Sequence, residues 1–90
     1  MTEWKFSPGR IVITRAALEV LPTSELSCAL ARHLAGDWGE VDREDWHANE
    51  AALVEAQRLL SAYRSTAGVK FYIITEWDRS LTTILLPSDY

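Results

Sequence analysis

The strongest constraint on the fold of this chain is residues 69–76, where β-branched and aromatic side chains predominate. Such residues favour extended backbone because they pack well on a pleated, half-buried surface. Turn-forming residues flank the segment at 65–68 and at 77–80. A further apolar run lies beyond each turn, at Leu59–Arg64 and at 81–86. The pattern therefore predicts a three-stranded antiparallel β-meander.

Alternation along the central strand assigns its side chains to two faces, since successive residues of a strand point to opposite sides. One face carries the set Val69, Phe71, Ile73 and Thr75. The other face carries the set Lys70, Tyr72, Ile74 and Glu76. We expect the face with Phe71 and Ile73 to pack against a helix at about residues 43–58.

The residues before the meander predict one short strand and up to three helices. Residues 11–13 are β-branched and follow a turn signal, which indicates a strand. Thr14 is a suitable N-cap for a short helix that Pro22 ends. A second helix should end at Gly36, and a third should begin after Asp42. The predicted fold is α+β, with a short N-terminal strand, two to three helices on one sheet face and the antiparallel meander, in one domain of 90 residues.

Negative charge is concentrated in residues 37–55, which we call the acidic segment. It holds seven of the thirteen acids and a single base, Arg43, for a formal charge of −6, whereas the whole chain carries −4. Concentrated charge steers association with an oppositely charged partner more than scattered charge does. Trp38 lies between two glycines and would add an apolar anchor, since Trp is favoured at interface hot spots. The predicted partner-binding residues are Asp37, Trp38, Glu40, Asp42, Glu44, Asp45 and Glu50.

Catalytic chemistry has no positive signal in the sequence. His47 and Glu50 lie three residues apart on the predicted third helix, but carboxylates are so dense there that such a neighbour is expected by chance. His33 and Asp37 have metal-ligand spacing, but Gly36 should end the helix between them. No glycine-rich phosphate loop is present. We therefore predict no catalytic residue, no metal site and no cofactor.

Direct nucleic-acid binding is opposed by the acidic balance of the chain, whose pI is about 5.0. The element order nevertheless resembles that of RelE/ParE-type toxins, some of which cleave mRNA with basic and aromatic side chains on the sheet. That resemblance makes Arg64, Lys70 and Arg79 candidate phosphate or base contacts. Because fold analogy does not establish function, a ribonuclease toxin is the alternative hypothesis.

The compartment is indicated by cysteine usage and hydropathy. Cys28 is the one cysteine, so an intrachain disulfide is excluded. No apolar run approaches the length of a membrane span, and we expect no membrane contact. The chain is therefore predicted to act in the cytoplasm.

Four segments resemble a family of short, largely uncharacterised proteins carried on plasmids, integrative elements and phages of proteobacteria. They are residues 31–39, 49–53, 60–63 and 73–90. The resemblance implies cargo of a mobile genetic element, a setting in which small acidic proteins often block host defence. It brings no active site with it.

These observations together predict a non-enzymatic acidic binding protein. Its partner would be a protein with a basic surface, such as a nucleic-acid-processing complex. An inhibitor of the anti-CRISPR or anti-restriction type would place the acidic segment in the basic groove of a host defence complex. A small regulatory or structural homodimer is the third hypothesis.

Overall fold

The computed structural model describes residues 3–90 and contains helices and strands in the order β-α-α-α-β-β-β. The α+β class predicted from the sequence is confirmed. The elements are β1 Arg10–Ile13, α1 Arg15–Val20, α2 Thr23–Leu34, α3 Arg43–Glu55, β2 Leu59–Arg64, β3 Lys70–Thr75, β4 Leu81–Leu85 and a closing 3-10 turn, Pro87–Asp89.

The four strands form one mixed sheet in the order β1-β4-β3-β2. Strands β2, β3 and β4 pair antiparallel in sequence order, as the turn signals indicated. Strand β1 lies beside β4 and runs parallel to it. The prediction of a three-stranded sheet unit was therefore incomplete, because local sequence specifies a hairpin but not which distant strand joins its edge.

Helices α1 and α2 cover one face of this sheet. Phe71 and Ile73 are buried there with apolar residues of both helices, including Ala17 and Leu26. The prediction that this face packs against a helix at 43–58 was wrong. The two earlier helices occupy the face, and α3 lies at the edge of the sheet instead.

Helix α3 flanks the outer edge of β2. Its Asn49 side chain donates to the Leu60 carbonyl at 2.7 Å and accepts from the Leu60 amide at 3.0 Å, as a neighbouring strand would. The Ala52 side chain packs in a second apolar cluster with buried Leu59. The helix ends at Glu55, earlier than expected, because Ala56 adopts a left-handed backbone with φ 53°. Strand β2 is thus shielded from edge-to-edge pairing.

The opposite face of the sheet carries Leu60, Ala62 and Tyr72, which the register places side by side on β2 and β3. The 3-10 turn that follows β4 packs against β3 on this side. It is held by Asp89, whose carboxylate accepts from the Thr14 hydroxyl at 2.7 Å. A cleft remains between this turn and the first turn of α3.

Candidate partner-binding cleft

The beginning of the acidic segment lies along the outer edge of β2. The Trp38 carbonyl accepts from the Ala62 amide at 3.1 Å, and the Glu40 amide donates to the Ala62 carbonyl at 2.6 Å. Gly39 forms a parallel bridge with Ala62 and has φ +74°. A Cβ at Gly39 would lie 2.1 Å from the Ala62 carbonyl oxygen, so only glycine permits this approach. The segment is therefore fixed to the sheet.

Trp38 is buried and does not lie on the surface, which corrects its prediction as an apolar anchor that contacts the partner. Its ring stacks on Phe6 at a centroid distance of 6.3 Å and meets His33 edge-on at 5.6 Å. Its indole Nε1 donates to Glu50 Oε2 at 2.8 Å. Burial of so large a ring stabilises the fold, and a buried ring cannot contact a partner. Trp38 holds the acidic segment from inside the protein.

Asp37 and Glu50 are also engaged within the protein. Asp37 Oδ2 accepts from Arg32 Nε at 2.8 Å, and its Oδ1 accepts from the Gly39 amide at 3.1 Å. The hydrogen bond from Arg32 lowers the pKa of the Asp37 carboxyl group, despite an opposing contribution from desolvation. Glu50 accepts from the Trp38 indole. Both carboxylates position the segment, and neither lines the cleft.

Three of the predicted residues, Glu40, Asp42 and Asp45, line the cleft together. Asp42 is the N-cap of α3, since its Oδ1 accepts from the Asp45 amide at 2.8 Å. Glu40 makes an exposed ion pair with Arg64 at 3.3 Å. Glu44 is exposed on α3 but lies outside the cleft. The structure therefore separates the predicted set into cleft residues, internally bonded residues and one remaining surface acid.

The cleft has a volume of about 610 Å³ and an apolar, aromatic floor. Its other lining residues are Val41, Leu60, Ala62, Lys70, Tyr72, Pro87 and Tyr90. Three carboxylates and one ammonium group therefore line the cleft, and one of the carboxylates, Glu40, is also paired with Arg64. The volume is in the range of about 300–1,000 Å³ that is typical of ligand-binding clefts. Such a cleft offers apolar contact at its floor and negative charge at one wall.

Two tyrosines of the cleft lie next to each other, and each makes a cation–π contact with a basic side chain of the same protein. The Tyr72 and Tyr90 rings meet at a centroid distance of 5.9 Å and an angle of 80°. Lys70 Nζ lies 5.6 Å from the Tyr72 ring, and the Arg58 guanidinium lies 5.7 Å from the Tyr90 ring. Arg58 also donates to the Tyr90 hydroxyl group. Both ring faces thus attract cations, as the quadrupole of an aromatic ring predicts.

Sequence reasoning did not include the tyrosines in the candidate site. The alternation of β3 correctly placed Tyr72 on the face opposite Phe71, and that signal could have identified the floor of the cleft. Tyr90 is distant in sequence from the acidic segment, and its place in the cleft depends on the 3-10 turn.

A separate network of hydrogen-bonded polar side chains, the buried polar network, crosses the core behind the acidic segment. The Pro8 carbonyl can only accept, so the Thr82 hydroxyl donates to it at 2.7 Å. The Thr75 hydroxyl then donates to Thr82 at 2.8 Å and accepts from His33 Nε2 at 2.9 Å. In a neutral ring His33 Nδ1 then carries no proton, and it accepts from the Ser61 hydroxyl at 2.6 Å. The neighbours thereby specify the neutral Nε2–H tautomer.

Within the buried polar network, His33 and Ser61 resemble a catalytic base and its nucleophile only in the distance between them. His33 and Ser61 are fully buried, so no substrate can reach the Ser61 hydroxyl. Desolvation, with a smaller contribution from the positive charge of Arg79, lowers the pKa of His33 to about 3. We assign the buried polar network a structural role, since it gives a hydrogen-bond partner to every buried polar side chain that it includes.

The basic residues of the toxin hypothesis are divided by the structure. Arg79 donates to the Gln57 carbonyl at 2.6 Å and to the Ala52 carbonyl at 2.9 Å, and so joins the end of α3 to the β3–β4 turn. Arg64 and Lys70 are cross-strand partners and project on the cleft side of the sheet. Arg79 is committed to the fold, whereas Arg64 and Lys70 are exposed.

Residues 3–90 contain neither a metal-binding cluster nor a membrane-spanning helix. No group of three or more His, Cys, Asp or Glu side chains in this range has the arrangement of a metal site. No helix in the same range is both long and apolar enough to cross a membrane.

Comparisons with known proteins found no matching family model, no matching curated protein and no matching solved structure.

Proposed function

We propose that this protein is a non-enzymatic binding protein that accepts a basic segment of a protein partner in the cleft. The observation that carries the proposal is the juxtaposition of Glu40, Asp42 and Asp45 with the aromatic floor formed by Tyr72 and Tyr90. Exposed carboxylates steer a basic partner toward the cleft, and apolar contact with the floor then slows its departure.

The arrangement of the wall supports this role. Hydrogen bonds to β2 and the burial of Trp38 hold Glu40 in place, and the N-cap Asp42 orients the first turn of α3. A carboxylate set on a rigid element loses little conformational entropy when it binds, so more of the interaction energy appears as affinity.

The partner class that fits is a nucleic-acid-processing complex. Proteins that bind nucleic acid do so through grooves rich in Lys and Arg, which neutralise phosphates. A small protein that holds a basic segment of such a groove in its own acidic cleft would keep nucleic acid out of the groove. The resemblance to proteins of mobile elements directs the proposal to a host defence complex, with this chain as its inhibitor in the cytoplasm.

A pull-down from host lysate with two matched variants tests the proposal. The first variant, Glu40→Gln with Asp45→Asn, removes two charges from the cleft. The control, Glu44→Gln with Glu55→Gln, removes the same charge from α3 outside the cleft. We expect the control to retain a partner that mass spectrometry identifies, and the cleft variant to lose it. The association rate should also fall as salt rises, because salt screens exposed charges.

Equal retention of the partner by both variants would contradict the proposal. It would show that binding depends on net charge or on another surface. Asp42 is left unchanged in the design because loss of its cap would cost about 1 kcal/mol of stability and confuse the result.

The ribonuclease toxin is retained as a second candidate because Arg64 and Lys70 lie side by side on the cleft side of the sheet. A toxin of this kind should arrest growth when it is expressed alone, and Arg64→Ala with Lys70→Ala should relieve the arrest. We expect no arrest in a host that lacks the partner.

A further inference from the structure

We infer that the cleft selects arginine over lysine in the basic segment that it binds. The inference rests on the proposed function and specifies the chemistry of the partner. It follows from the position of two tyrosine rings opposite the carboxylates, and not from the negative charge alone.

The aromatic floor favours a cation independently of the acids, since the face of a tyrosine ring attracts positive charge. Tyr72 and Tyr90 each lie within 6 Å of a positively charged group of the chain, Lys70 and Arg58 respectively. The rings stand nearly perpendicular to each other, at 80°, so they present faces in two directions. A planar cation can therefore stack on one ring while the edge of the other borders it.

Guanidinium fits this combination better than ammonium does. It is planar, stacks on aromatic faces and presents several N–H donors that can bind a carboxylate in a bidentate manner. It is also more weakly hydrated than ammonium, so it loses less when it enters a partly apolar cleft. Lysine would satisfy the carboxylates as a point charge but would gain less from the rings.

The walls of the cleft provide for both parts of an arginine side chain. Leu60 and Ala62 lie in the floor, where they can contact the methylene groups of the stem. Glu40 and Asp45 line the acidic wall, where they can accept from the guanidinium N–H groups. Arg64 pairs with Glu40, and Lys70 and Arg58 lie at the two tyrosine rings, so a lysine or an arginine of the partner would have to displace the same cations of the chain.

Two short Gly-Ser peptides test the inference, one with arginines and one with lysines at the same positions. Each is titrated into the ¹⁵N-labelled 90-residue chain, and affinity is read from amide shifts. We expect shifts at Leu60, Tyr72 and Tyr90, and about fivefold tighter binding of the arginine peptide, equivalent to about 1 kcal/mol.

Variants separate stacking from charge. The double variant Tyr72→Leu with Tyr90→Leu keeps an apolar floor but removes both rings, and it should reduce the arginine preference to less than about twofold. Glu40→Gln with Asp45→Asn should weaken both peptides, while Glu44→Gln with Glu55→Gln should weaken neither by more than about twofold. Unchanged amide spectra away from the cleft verify that each variant folds.

The outcomes distinguish this inference from the proposed function. Equal affinity for the two peptides, still dependent on Glu40 and Asp45, would overturn the arginine preference and leave the acidic binding cleft standing. An arginine preference that survives Tyr72→Leu with Tyr90→Leu would show that stacking is not its cause and would overturn the inference. Binding of neither peptide in the cleft would also overturn it, and the lysate experiment would then decide the proposed function alone.

Discussion

Acidification should destabilise this protein well above the pH at which its carboxylates become protonated, and His33 is the reason. The side chain is fully buried, and its two ring nitrogens are bonded to Ser61 and Thr75. Protonation of Nδ1 would place a second proton where the Ser61 hydroxyl now donates. It would also bury a positive charge near Arg79. The folded state therefore excludes the proton that the unfolded chain accepts.

The size of the effect follows from the two pKa values. His33 has a pKa of about 3 in the folded state, against the ordinary value of 6.5 in the unfolded chain. A lowered folded-state pKa means that stability is complete above pH 6.5 and is lost as the pH falls toward 3. Between pH 7 and pH 5, the difference in bound protons corresponds to a loss of about 2 kcal/mol in the free energy of unfolding. Asp37, whose ordinary pKa is 3.8, adds a loss in the same direction only at lower pH.

Urea unfolding curves at several pH values between 7 and 5 measure this loss. The variant His33→Gln should have a lower stability throughout but should lack the contribution of His33 to the pH dependence. His47→Gln, which changes the exposed histidine of α3, is the matched control and should retain the loss. NMR of the ring nitrogens gives a second readout that does not depend on a variant, and it should show the neutral Nε2–H tautomer at pH 5.

The reasoning would be refuted by a His33 ring that titrates near pH 6.5 in the folded protein. It would equally be refuted by wild-type stability that stays constant between pH 7 and pH 5. Either result would mean that the buried polar network accommodates the charged imidazole.

Two further changes test the core and the attachment of the acidic segment. Ile73→Ala should lower the free energy of unfolding by about 2–5 kcal/mol in denaturant titrations, because Ile73 is fully buried. The control Val54→Ala changes an exposed side chain and should alter the free energy of unfolding by less than about 0.5 kcal/mol. A similar loss for both variants would contradict the assigned core. Gly39→Ala should cost about 1–3 kcal/mol for its left-handed backbone, with a further cost for the contact with the Ala62 carbonyl. Calorimetry that finds Gly39→Ala as stable as the parent would show that the segment is not held at the edge of β2.

Local sequence signals accounted for much of the secondary structure. The β-branched and aromatic run became β3, and the turn residues on either side of it specified its antiparallel neighbours. Thr14 and Asp42 are the N-caps that their residue types predicted, and Gly36 adopts a positive φ of 85°. These features depend on the conformational preferences of a few adjacent residues, so a single sequence reveals them.

The candidate site was predicted only in part, because its residues make contacts across the chain. The position of Trp38 between glycines indicated a ring that anchors a partner, but Phe6 and His33 pack against it inside the protein. The carboxylates of residues 37–55 appeared equivalent in sequence. In the structure, Glu50 accepts a hydrogen bond from the indole of Trp38, whereas Glu40 lines the cleft.

The sequence by itself determined the α+β class, the position of the meander and the concentration of negative charge. Only the tertiary structure decided that β1 joins β4 in parallel, that α3 lies at the edge of β2 and that Tyr90 reaches Tyr72. The physical reason is the range of the interactions. Propensity, capping and turn formation act over a few residues, whereas strand order, burial and cleft formation depend on which distant surfaces exclude water together.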